Sequence, residues 1–215
     1  MTVAVVPMKR LSEAKRRLST VLDDKSRRHL AETMLRDVLA GLSSAPSVQE
    51  VLVISPDDAV AAIASGSGVR FHREDNPRGL DAAVTLAAGL LAGEGVASML
   101  YVPGDVPLAT WQELETVTRA ARNASFVIVP SHDRDGTNAM ALSPPTLFSP
   151  AFGPGSFERH LRLAGHAGAR AEVLDLPGLS VDIDTPDDLA RLVRARHGDD
   201  RYAFLKTPEP AGSAA

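Results

Sequence analysis

The sequence predicts an α/β fold, specifically a three-layer, doubly wound sheet that is mostly parallel. Two observations lead to this prediction. Apolar runs of strand length alternate with helical periodicity from the first residues to about position 197. The runs are also nearly continuous in Val, Ile and Leu, as in Val3–Val6 and Val51–Ile54, which is typical of strands covered on both faces. A length of 215 residues suits one domain, which we assign to residues 1–198.

Strands and helices are predicted, in chain order, from the spacing of apolar residues and from the Gly and Pro residues that interrupt regular structure. Strands are predicted at Val3–Val6, Val51–Ile54, Val69–Phe71, Met99–Val102, Phe126–Val129, Ala139–Leu142, Ala171–Leu174 and Leu179–Ile183. Helices are predicted at Ser26–Ser43, Pro56–Ser65, Leu80–Ala92, Thr110–Asn123 and Phe157–Gly165. Between residues 130 and 180 strands follow one another closely, which indicates a small mixed or antiparallel β excursion. Residues 199–215 end in Pro, Ala, Gly and Ser and are expected to form a mobile tail.

The composition excludes several classes of protein. Without cysteine there is no disulfide framework, thiolate metal site or cysteine nucleophile. The net charge of −4 gives no case for nucleic acid or a membrane surface as a partner, and no apolar run is long enough to cross a bilayer. The first residues lack a basic leader and begin like a strand, so we expect a cytoplasmic protein. Any catalysis must therefore use carboxylates, hydroxyls, lysine or a metal ion held by oxygen ligands.

A basic loop follows the first strand. Five cations stand in nine residues, at Lys9, Arg10, Lys15, Arg16 and Arg17, and three of the four lysines of the chain lie in the first 25 residues. Ligands of open parallel sheets bind beyond the carboxyl ends of the strands, so the loop suits a triphosphate clamp. The alternative is an ordinary solvated basic surface. The dinucleotide and P-loop glycine patterns are absent.

Three aspartates could hold a divalent cation. Asp105 ends an apolar strand between Gly and Pro residues, where it is either a metal ligand or a cap of the next helix. Asp182 and Asp184 are two positions apart in a predicted strand, so their carboxylates project to the same side, and a metal would relieve their repulsion. The next residues, from Thr185 to Asp188, are better read as a helix cap with acidic residues in the first turn.

Two further loops could bind parts of a substrate. A Gly-rich turn containing Gly153 leads to Ser156, read as the N-cap of a short helix that suits a phosphate or carboxylate, and Thr137 with Asn138 could donate to the same anion. A tight turn without a ligand is the alternative. Asn76 and Gly79 open another helix, where glycine permits the close approach of a flat base. The six histidines show no metal spacing, so each is read as surface or core.

Together these features suit nucleotidyl transfer. Magnesium bound by Asp105, Asp182 and Asp184 would neutralise charge on the α-phosphate and on the departing pyrophosphate. A phosphate monoester acceptor has a second pKa near ~6, so it arrives largely ionised and needs no general base.

Five motifs resemble, in order and spacing, the 2-phospho-L-lactate or phosphoenolpyruvate guanylyltransferases that make the precursor of the deazaflavin coenzyme F-420. The motifs are Val5 to Lys15, Pro103-Gly104-Asp105-Val106-Pro107-Leu108, Asp135-Gly136-Thr137-Asn138-Ala139, Phe152-Gly153-Pro154-Gly155-Ser156-Phe157 with His160, and Asp182 to Leu189. The likeness covers about residues 1–195. It implies a nucleotide-diphospho-sugar transferase-like (GT-A-like) fold.

The resemblance also implies the reaction and the site. GTP would react with phosphoenolpyruvate or 2-phospho-L-lactate to give a guanosine diphosphate diester and pyrophosphate. Asp105, Asp182 and Asp184 match magnesium ligands, and Thr137, Gly153 and Ser156 match groups that hold the phosphorylated acid. Lys9 and Lys15 match the triphosphate-facing loop, which gives Asp105, Lys9 and Lys15 as the catalytic set. Lys9, Lys15, Asn76, Gly79 and Asp105 are assigned to nucleotide binding.

The sequence leaves several alternatives open for the substrate, the activity and the partners. 3-Phosphoglycerate is another acid that fits the same chemistry. A molybdopterin cytidylyltransferase or sugar-nucleotide enzyme is a competing activity, although the Leu-Ala-Gly-Gly-like loop usual in those enzymes is absent here. A non-catalytic nucleotide-binding protein would be expected to lack the aspartates. Self-association into a homodimer and hand-over of the product to the next enzyme also stay open.

Overall fold

The computed structural model describes residues 1–205 and contains one seven-stranded sheet. Its strands are β1 (Thr2–Pro7), β2 (Glu50–Ser55), β3 (Arg70–Arg73), β4 (Ser98–Tyr101), β5 (Phe126–Pro130), β6 (Thr137–Leu142) and β7 (Ala171–Val173). Its α-helices are α1 (Asp24–Ser44), α2 (Asp58–Gly66), α3 (Leu80–Gly93), α4 (Trp111–Ala120), α5 (Ser156–His166) and α6 (Pro186–Ala195). The strand order is β3-β2-β1-β4-β6-β5-β7.

The sheet is mostly parallel, as predicted. β1 pairs in parallel with β2 and β4, β2 with β3, and β5 with β7. β6 is antiparallel to both of its neighbours, β4 and β5. The predicted mixed excursion in the second half is therefore confirmed. Its effect on the site is that the N-terminal end of β6, rather than its carboxyl end, meets the carboxyl ends of the parallel strands.

Alternation along β1 shows the three layers directly. Val3 and Val5 pack in the apolar cluster formed with α3 and α5, whereas Ala4 and Val6 pack in the cluster formed with α1, α2 and α4. Successive side chains of a strand point to opposite faces, so a strand between two helical layers must be apolar at every position. This is why β1 lacks the polar alternation of a half-exposed strand.

Helix ends agree with local capping chemistry. Thr110 caps α4 through a hydrogen bond from the backbone of Glu113, and Thr185 caps α6 in the same way with Asp188. Pro186 occupies the first turn of α6, as expected from its fixed φ. The interpretation of Asp188 as a capping residue is confirmed. Asp105 is not the cap of α4, whose N-cap is Thr110.

The predicted strand Leu179–Ile183 is wrong. The segment is not part of the sheet and makes isolated contacts instead: His132 N–H donates to Ser180 O at 2.8 Å, and Ile183 N–H donates to Asp105 O at 3.1 Å. The apolar alternation nevertheless has a cause, because Leu179 and Ile183 are fully buried in two different apolar clusters. Apolar residues can alternate along a segment because they enter separate clusters, without a neighbouring strand.

The predicted start of the mobile tail at residue 199 is too early. Asp200–Tyr202 form a 3₁₀ turn, and the Tyr202 hydroxyl donates to Asp37 Oδ2 on α1 at 2.8 Å. Tyr202 and Leu205 are buried with Leu18 and Leu30. The predicted domain boundary at 198 thus divides a packed unit. The remaining part of the predicted tail, 206–215, lies outside the described residues. Within residues 1–205 no helix is both long and apolar enough to cross a membrane.

Candidate active site

The centre of the site is a buried lysine between two aspartates. Lys15 Nζ lies 2.5 Å from Asp105 Oδ2 and 2.8 Å from Asp184 Oδ1, and the Lys15 side chain is 5% exposed. Burial alone would lower the pKa of Lys15, but the two carboxylates raise it above its ordinary value. Lys15 is therefore a fixed positive charge. Its backbone has a positive φ of 52°, which is uncommon for a residue with a side chain.

The local chain explains how these groups meet. Lys15 separates two 3₁₀ turns in the loop after β1, and Asp105 follows β4, which lies next to β1 in the sheet. The hydrogen bond from Ile183 N–H to Asp105 O attaches the segment before α6 to the same place. Asp182 and Asp184 flank that anchored residue, so both aspartates are held near Asp105.

The two aspartates of this segment have different electrostatic environments. Burial and then the nearby Asp105 raise the pKa of Asp182, whose Oδ1 accepts one hydrogen bond from Asn138 Nδ2 at 3.1 Å. Burial would also raise the pKa of Asp184, but Lys15 and Arg17 outweigh burial and hold it below its ordinary value. Of the three aspartates, Asp182 is thus the one whose charge is least compensated by the protein.

The carboxylates have the chemistry of a magnesium site, since Mg²⁺ prefers carboxylate oxygens. Within residues 1–205, however, no group of three or more acidic or histidine side chains is arranged as a ready metal cage. The Lys15 ammonium lies between Asp105 and Asp184 and compensates both. The donor types of Asp105, Asp182 and Asp184 fit the metal, and the weakly compensated Asp182 is the acceptor that a cation would satisfy.

A cavity of about 640 Å³ opens beside this cluster, along the carboxyl ends of β1 to β4. Its walls include Lys9, Lys15, Gly79 and Asp105, four of the five residues predicted to bind the nucleotide. The fifth, Asn76, is exposed and is not part of the cavity wall. Gly79 has a φ of 94°, and no atom would contact a Cβ there, so its backbone is open to a ligand.

Sequence reasoning missed other parts of the cavity wall. They include Pro56, Glu74 and Ala83, whereas Met8, Pro103 and Gly104 lie in motifs named above but had been given no role in binding. At Gly104 a Cβ would lie 2.3 Å from Met8 Sδ, so glycine allows the loop after β4 to lie against the loop after β1. The Pro-Gly pair before Asp105 could have signalled this contact. A single glutamate after β3 carries no comparable signal in the sequence.

The predicted acid-binding residues come together in a second group, in which Thr137 and Ser156 are buried and Gly153 is exposed. Ser156 Oγ donates to Thr137 Oγ1 at 3.4 Å, and Ser156 N–H donates to Gly153 O at 3.0 Å. Ala151 N–H donates to His160 Nε2 at 3.0 Å, so the neutral ring carries its proton on Nδ1 and donates to Thr137 Oγ1 at 2.9 Å. The Thr137 hydroxyl proton is thereby free to point elsewhere. His160 is a core residue, as predicted, with a role in this network.

The prediction of free N–H groups at the start of α5 needs correction. The N-cap is Gly155, with a left-handed φ of 69°, and Ser156 is the first helical residue. Gly155 N–H donates to Asp135 Oδ1 at 3.0 Å, and Phe157 N–H donates to Asp135 O at 3.2 Å. Asp135 lies twenty positions earlier and already satisfies part of the helix end, which local sequence reasoning does not detect.

Arg159 and Asp81 hold the turn before α5. The Arg159 guanidinium donates to the carbonyls of Ala151, Phe152 and Pro154, at distances from 2.7 to 3.2 Å. Asp81 Oδ1 on α3 accepts from Phe152 N–H at 2.7 Å. The Phe152 ring lies between those of Tyr101 and His160, with centroid distances of 4.5 and 5.0 Å. These contacts connect the wall of the cavity to the buried Thr137–Ser156 group.

Comparison with known proteins gives the family. Residues 2–208 match the family described as Guanylyl transferase CofC like. The chain belongs to this family. It is 40% identical over 190 residues to a protein named phosphoenolpyruvate guanylyltransferase from Rubrobacter xylanophilus, covering 88% of this chain and 92% of the relative. A protein of the same name from Sphaerobacter thermophilus is 37% identical over 191 residues, 89% of this chain and 92% of that protein. The chain is therefore a nucleotidyltransferase.

Solved structures agree on the fold. A nucleotide-diphospho-sugar transferase from Desulfovibrio desulfuricans gives a TM-score of 0.76 at 15% identity, covering 94% of this chain and 90% of that one. A nucleotidyl transferase from Methanothermobacter gives a TM-score of 0.67 at 20% identity, with 91% and 97% covered. The nucleotide-diphospho-sugar transferase-like fold expected from the sequence is confirmed.

Proposed function

We propose that this chain transfers GMP from GTP to the phosphate of phosphoenolpyruvate, giving enolpyruvyl-diphospho-guanosine and pyrophosphate in the biosynthesis of coenzyme F-420. The observation that carries the proposal is the Lys15–Asp105–Asp184 cluster at the inner end of a nucleotide-sized cavity. The Thr137–Ser156 group is connected to the same cavity through Phe152 and Tyr101. Both substrates of such a transfer would need adjoining sites of this kind.

The chemistry needs little from the protein beyond placement and charge. An oxygen of the ionised acceptor phosphate attacks the α-phosphorus of GTP, the bond to the bridging oxygen of the β-phosphate breaks, and pyrophosphate leaves with that electron pair. Lys15 supplies a fixed positive charge at the site, and Lys9 on the exposed rim of the cavity faces the solvent side of a triphosphate. No nucleophilic side chain takes part.

A magnesium ion would be held by Asp105, Asp182 and Asp184, and when bound it would withdraw electron density from the phosphoryl oxygens. Asp182 supports this assignment because its charge is poorly compensated by protein groups. Thr137, Gly153 and Ser156 would hold the carboxylate and phosphate of the acid. Asp105, Lys9 and Lys15 remain the proposed catalytic set, and Lys9, Lys15, Gly79 and Asp105 the proposed nucleotide contacts.

A substrate panel tests the proposal. Pyrophosphate release would be measured with GTP, ATP, CTP or UTP, each combined with phosphoenolpyruvate, 2-phospho-L-lactate, 3-phosphoglycerate or no acid, with and without magnesium. Release is expected only when GTP, magnesium and a three-carbon phosphorylated acid are present together, and it should be fastest with phosphoenolpyruvate. Equal rates with CTP, or release without an acid, would contradict the proposal. Faster turnover of 2-phospho-L-lactate would identify that acid as the acceptor and would still support the proposed guanylyl transfer.

A further inference from the structure

Glu74 is the one carboxylate in the described cavity wall that is both buried and without a partner. It follows β3 directly, its side chain belongs to the wall of the cavity, and the residue is 9% exposed. Its backbone N–H donates to Ser55 O at 3.1 Å, which fixes its position at the sheet edge. Within residues 1–205 its carboxylate makes no hydrogen bond or ion pair. Of the other acidic residues of the wall, Asp105 is paired with Lys15 and Glu13 is exposed.

A carboxylate that lines a cavity and has no protein partner is free to accept hydrogen bonds from the donors of a ligand. The wall of this cavity must also accommodate the negative charge of a triphosphate, so such a group would be unfavourable near the phosphates. The cations Lys9 and Lys15 lie in the loop after β1. Glu74 follows β3, and the strand order places β2 between β3 and β1. The glutamate therefore belongs to the end of the cavity away from the phosphate site.

The spacing of the strands fits a nucleotide with its phosphates near Asp105 and its base near Glu74. Asp105 follows β4 and Glu74 follows β3, and between these two strands there are three strand spacings of about 4.8 Å, roughly 14 Å in all. A ribose and a base extending from a phosphate at Asp105 would span this distance. The same cavity wall contains Gly79, open to close approach, and the apolar side chains of Pro77 and Leu80, which suit the face of a base.

We propose that Glu74 selects guanine by accepting hydrogen bonds from its N1–H and 2-amino groups. An ionised carboxylate is an acceptor at both oxygens, and guanine is the common base with two adjacent donors on its Watson–Crick edge. Adenine and cytosine present a ring nitrogen acceptor there, and uracil flanks its one donor with two carbonyls. This inference rests on the proposed function and adds to it the group that distinguishes GTP from other nucleotides.

The test compares the binding of GTP and of inosine triphosphate, which lacks only the 2-amino group. Dissociation constants would be measured by titration calorimetry on the full chain, with magnesium, for the wild type, Glu74→Gln and the matched control Asp75→Asn. Asp75 is the exposed neighbour of Glu74, so its variant removes the same charge outside the cavity wall. The wild type should bind GTP roughly 10- to 100-fold more tightly than inosine triphosphate, the value of one charged hydrogen bond.

In Glu74→Gln this preference should fall towards one, whereas Asp75→Asn should keep it. Glu74→Ala should also lose the preference, and thermal unfolding would show that each variant is folded. An unchanged preference in Glu74→Gln, an equal loss of both nucleotides, or a wild type that binds both equally would overturn the assignment. If GTP supports pyrophosphate release but the preference does not move, only the role of Glu74 fails. A wild type that neither binds nor uses GTP contradicts the proposed function itself.

Discussion

Lys15 Nζ lies 2.8 Å from Asp184 Oδ1, although 169 positions separate the two residues. The contact joins the loop after β1 to the segment before α6, and the same ammonium reaches Asp105 after β4. Three distant parts of the chain therefore meet at one buried charge. A cation at that point offsets the repulsion between the two carboxylates.

Replacing this charge should affect activity and stability together. In Lys15→Met we expect kcat to fall by about 100- to 1000-fold, the usual loss for one electrostatic group at a transition state. The free energy of unfolding should fall by about 1–2 kcal/mol, less than for a fully buried pair because Asp105 and Asp184 are partly exposed to solvent. Steady-state kinetics and urea unfolding would measure the two effects.

Lys9→Met is the matched control for stability, since Lys9 belongs to the same loop but is exposed. It should leave the free energy of unfolding unchanged. A Lys15→Met enzyme that retained the wild-type kcat would remove Lys15 from the catalytic set. Wild-type stability in that variant would show that the ion pairs with Asp105 and Asp184 contribute nothing to the fold.

Asp182→Asn and Asp184→Asn should differ in stability although both reduce activity. The pKa of Asp182 is raised by burial and by Asp105, so its charged form is disfavoured in the folded protein and its removal should be neutral or stabilising near pH 7. The pKa of Asp184 is lowered by Lys15 against the effect of burial, so Asp184→Asn should destabilise by about 1 kcal/mol. Thermal unfolding of the two purified variants gives the comparison.

The same pair tests the proposed metal site. Both variants should need more magnesium for half-maximal pyrophosphate release, because each removes one proposed ligand. If both variants need the same magnesium concentration as the wild type, these aspartates do not bind magnesium and contribute only to the stability of the protein. A more stable Asp184→Asn would contradict the ion pair with Lys15.

Ser156→Ala should weaken the binding of the phosphorylated acid more than that of GTP. Ser156 is buried beside Thr137, away from the residues that line the nucleotide cavity. Loss of one hydroxyl costs about 0.5–1.5 kcal/mol, so the KM for the acid should rise roughly 2- to 12-fold while the KM for GTP changes little. Ser149→Ala, an exposed serine seven positions earlier, is the control and should change neither. An equal rise in both KM values would place Ser156 outside the acid site.

The sequence predicted the parts of this protein that depend on periodicity and on strand ends. The alternation of strands and helices predicted the mostly parallel sheet. Lys15 and Asp105 were predicted as site residues because they follow the carboxyl ends of β1 and β4. It did not show that Lys15 pairs with Asp184, because that contact depends on how the segment before α6 attaches to Asp105. The role of Asp135 at the start of α5 was missed for the same reason.

Other errors came from patterns with more than one cause. The alternation of apolar residues from Leu179 to Ile183 was read as a strand, whereas it reflects the burial of Leu179 and Ile183 in two separate apolar clusters. The polar composition after residue 199 was read as a tail, although Tyr202 is buried and bonded to Asp37. Glu74 was not singled out because nothing in its neighbours shows that its side chain is buried in the cavity wall. In each case the missing information is a contact between residues far apart in the chain.

His160 should make the folded state sensitive to mild acid. Burial, with a contribution from Arg159, lowers the pKa of His160 to about 4, from 6.5 in the unfolded chain. Between these values the unfolded chain binds one proton more than the folded protein, so stability is complete above the unfolded pKa and declines as the pH falls towards 4. The expected loss between pH 7 and pH 5 is about 2 kcal/mol.

Urea unfolding at pH 7 and pH 5 would measure this loss in the wild type and in His160→Gln, with no substrate present. Gln at 160 cannot take up the proton, so the variant should lose about 2 kcal/mol less than the wild type over this range, even if it is less stable at pH 7. His166→Gln, at the exposed end of α5, is the control and should lose as much as the wild type. The same pH dependence in wild type and His160→Gln would show that His160 is not held neutral. A protonated ring would still donate from Nδ1 to Thr137 Oγ1, but Nε2 could no longer accept the hydrogen bond from Ala151 N–H.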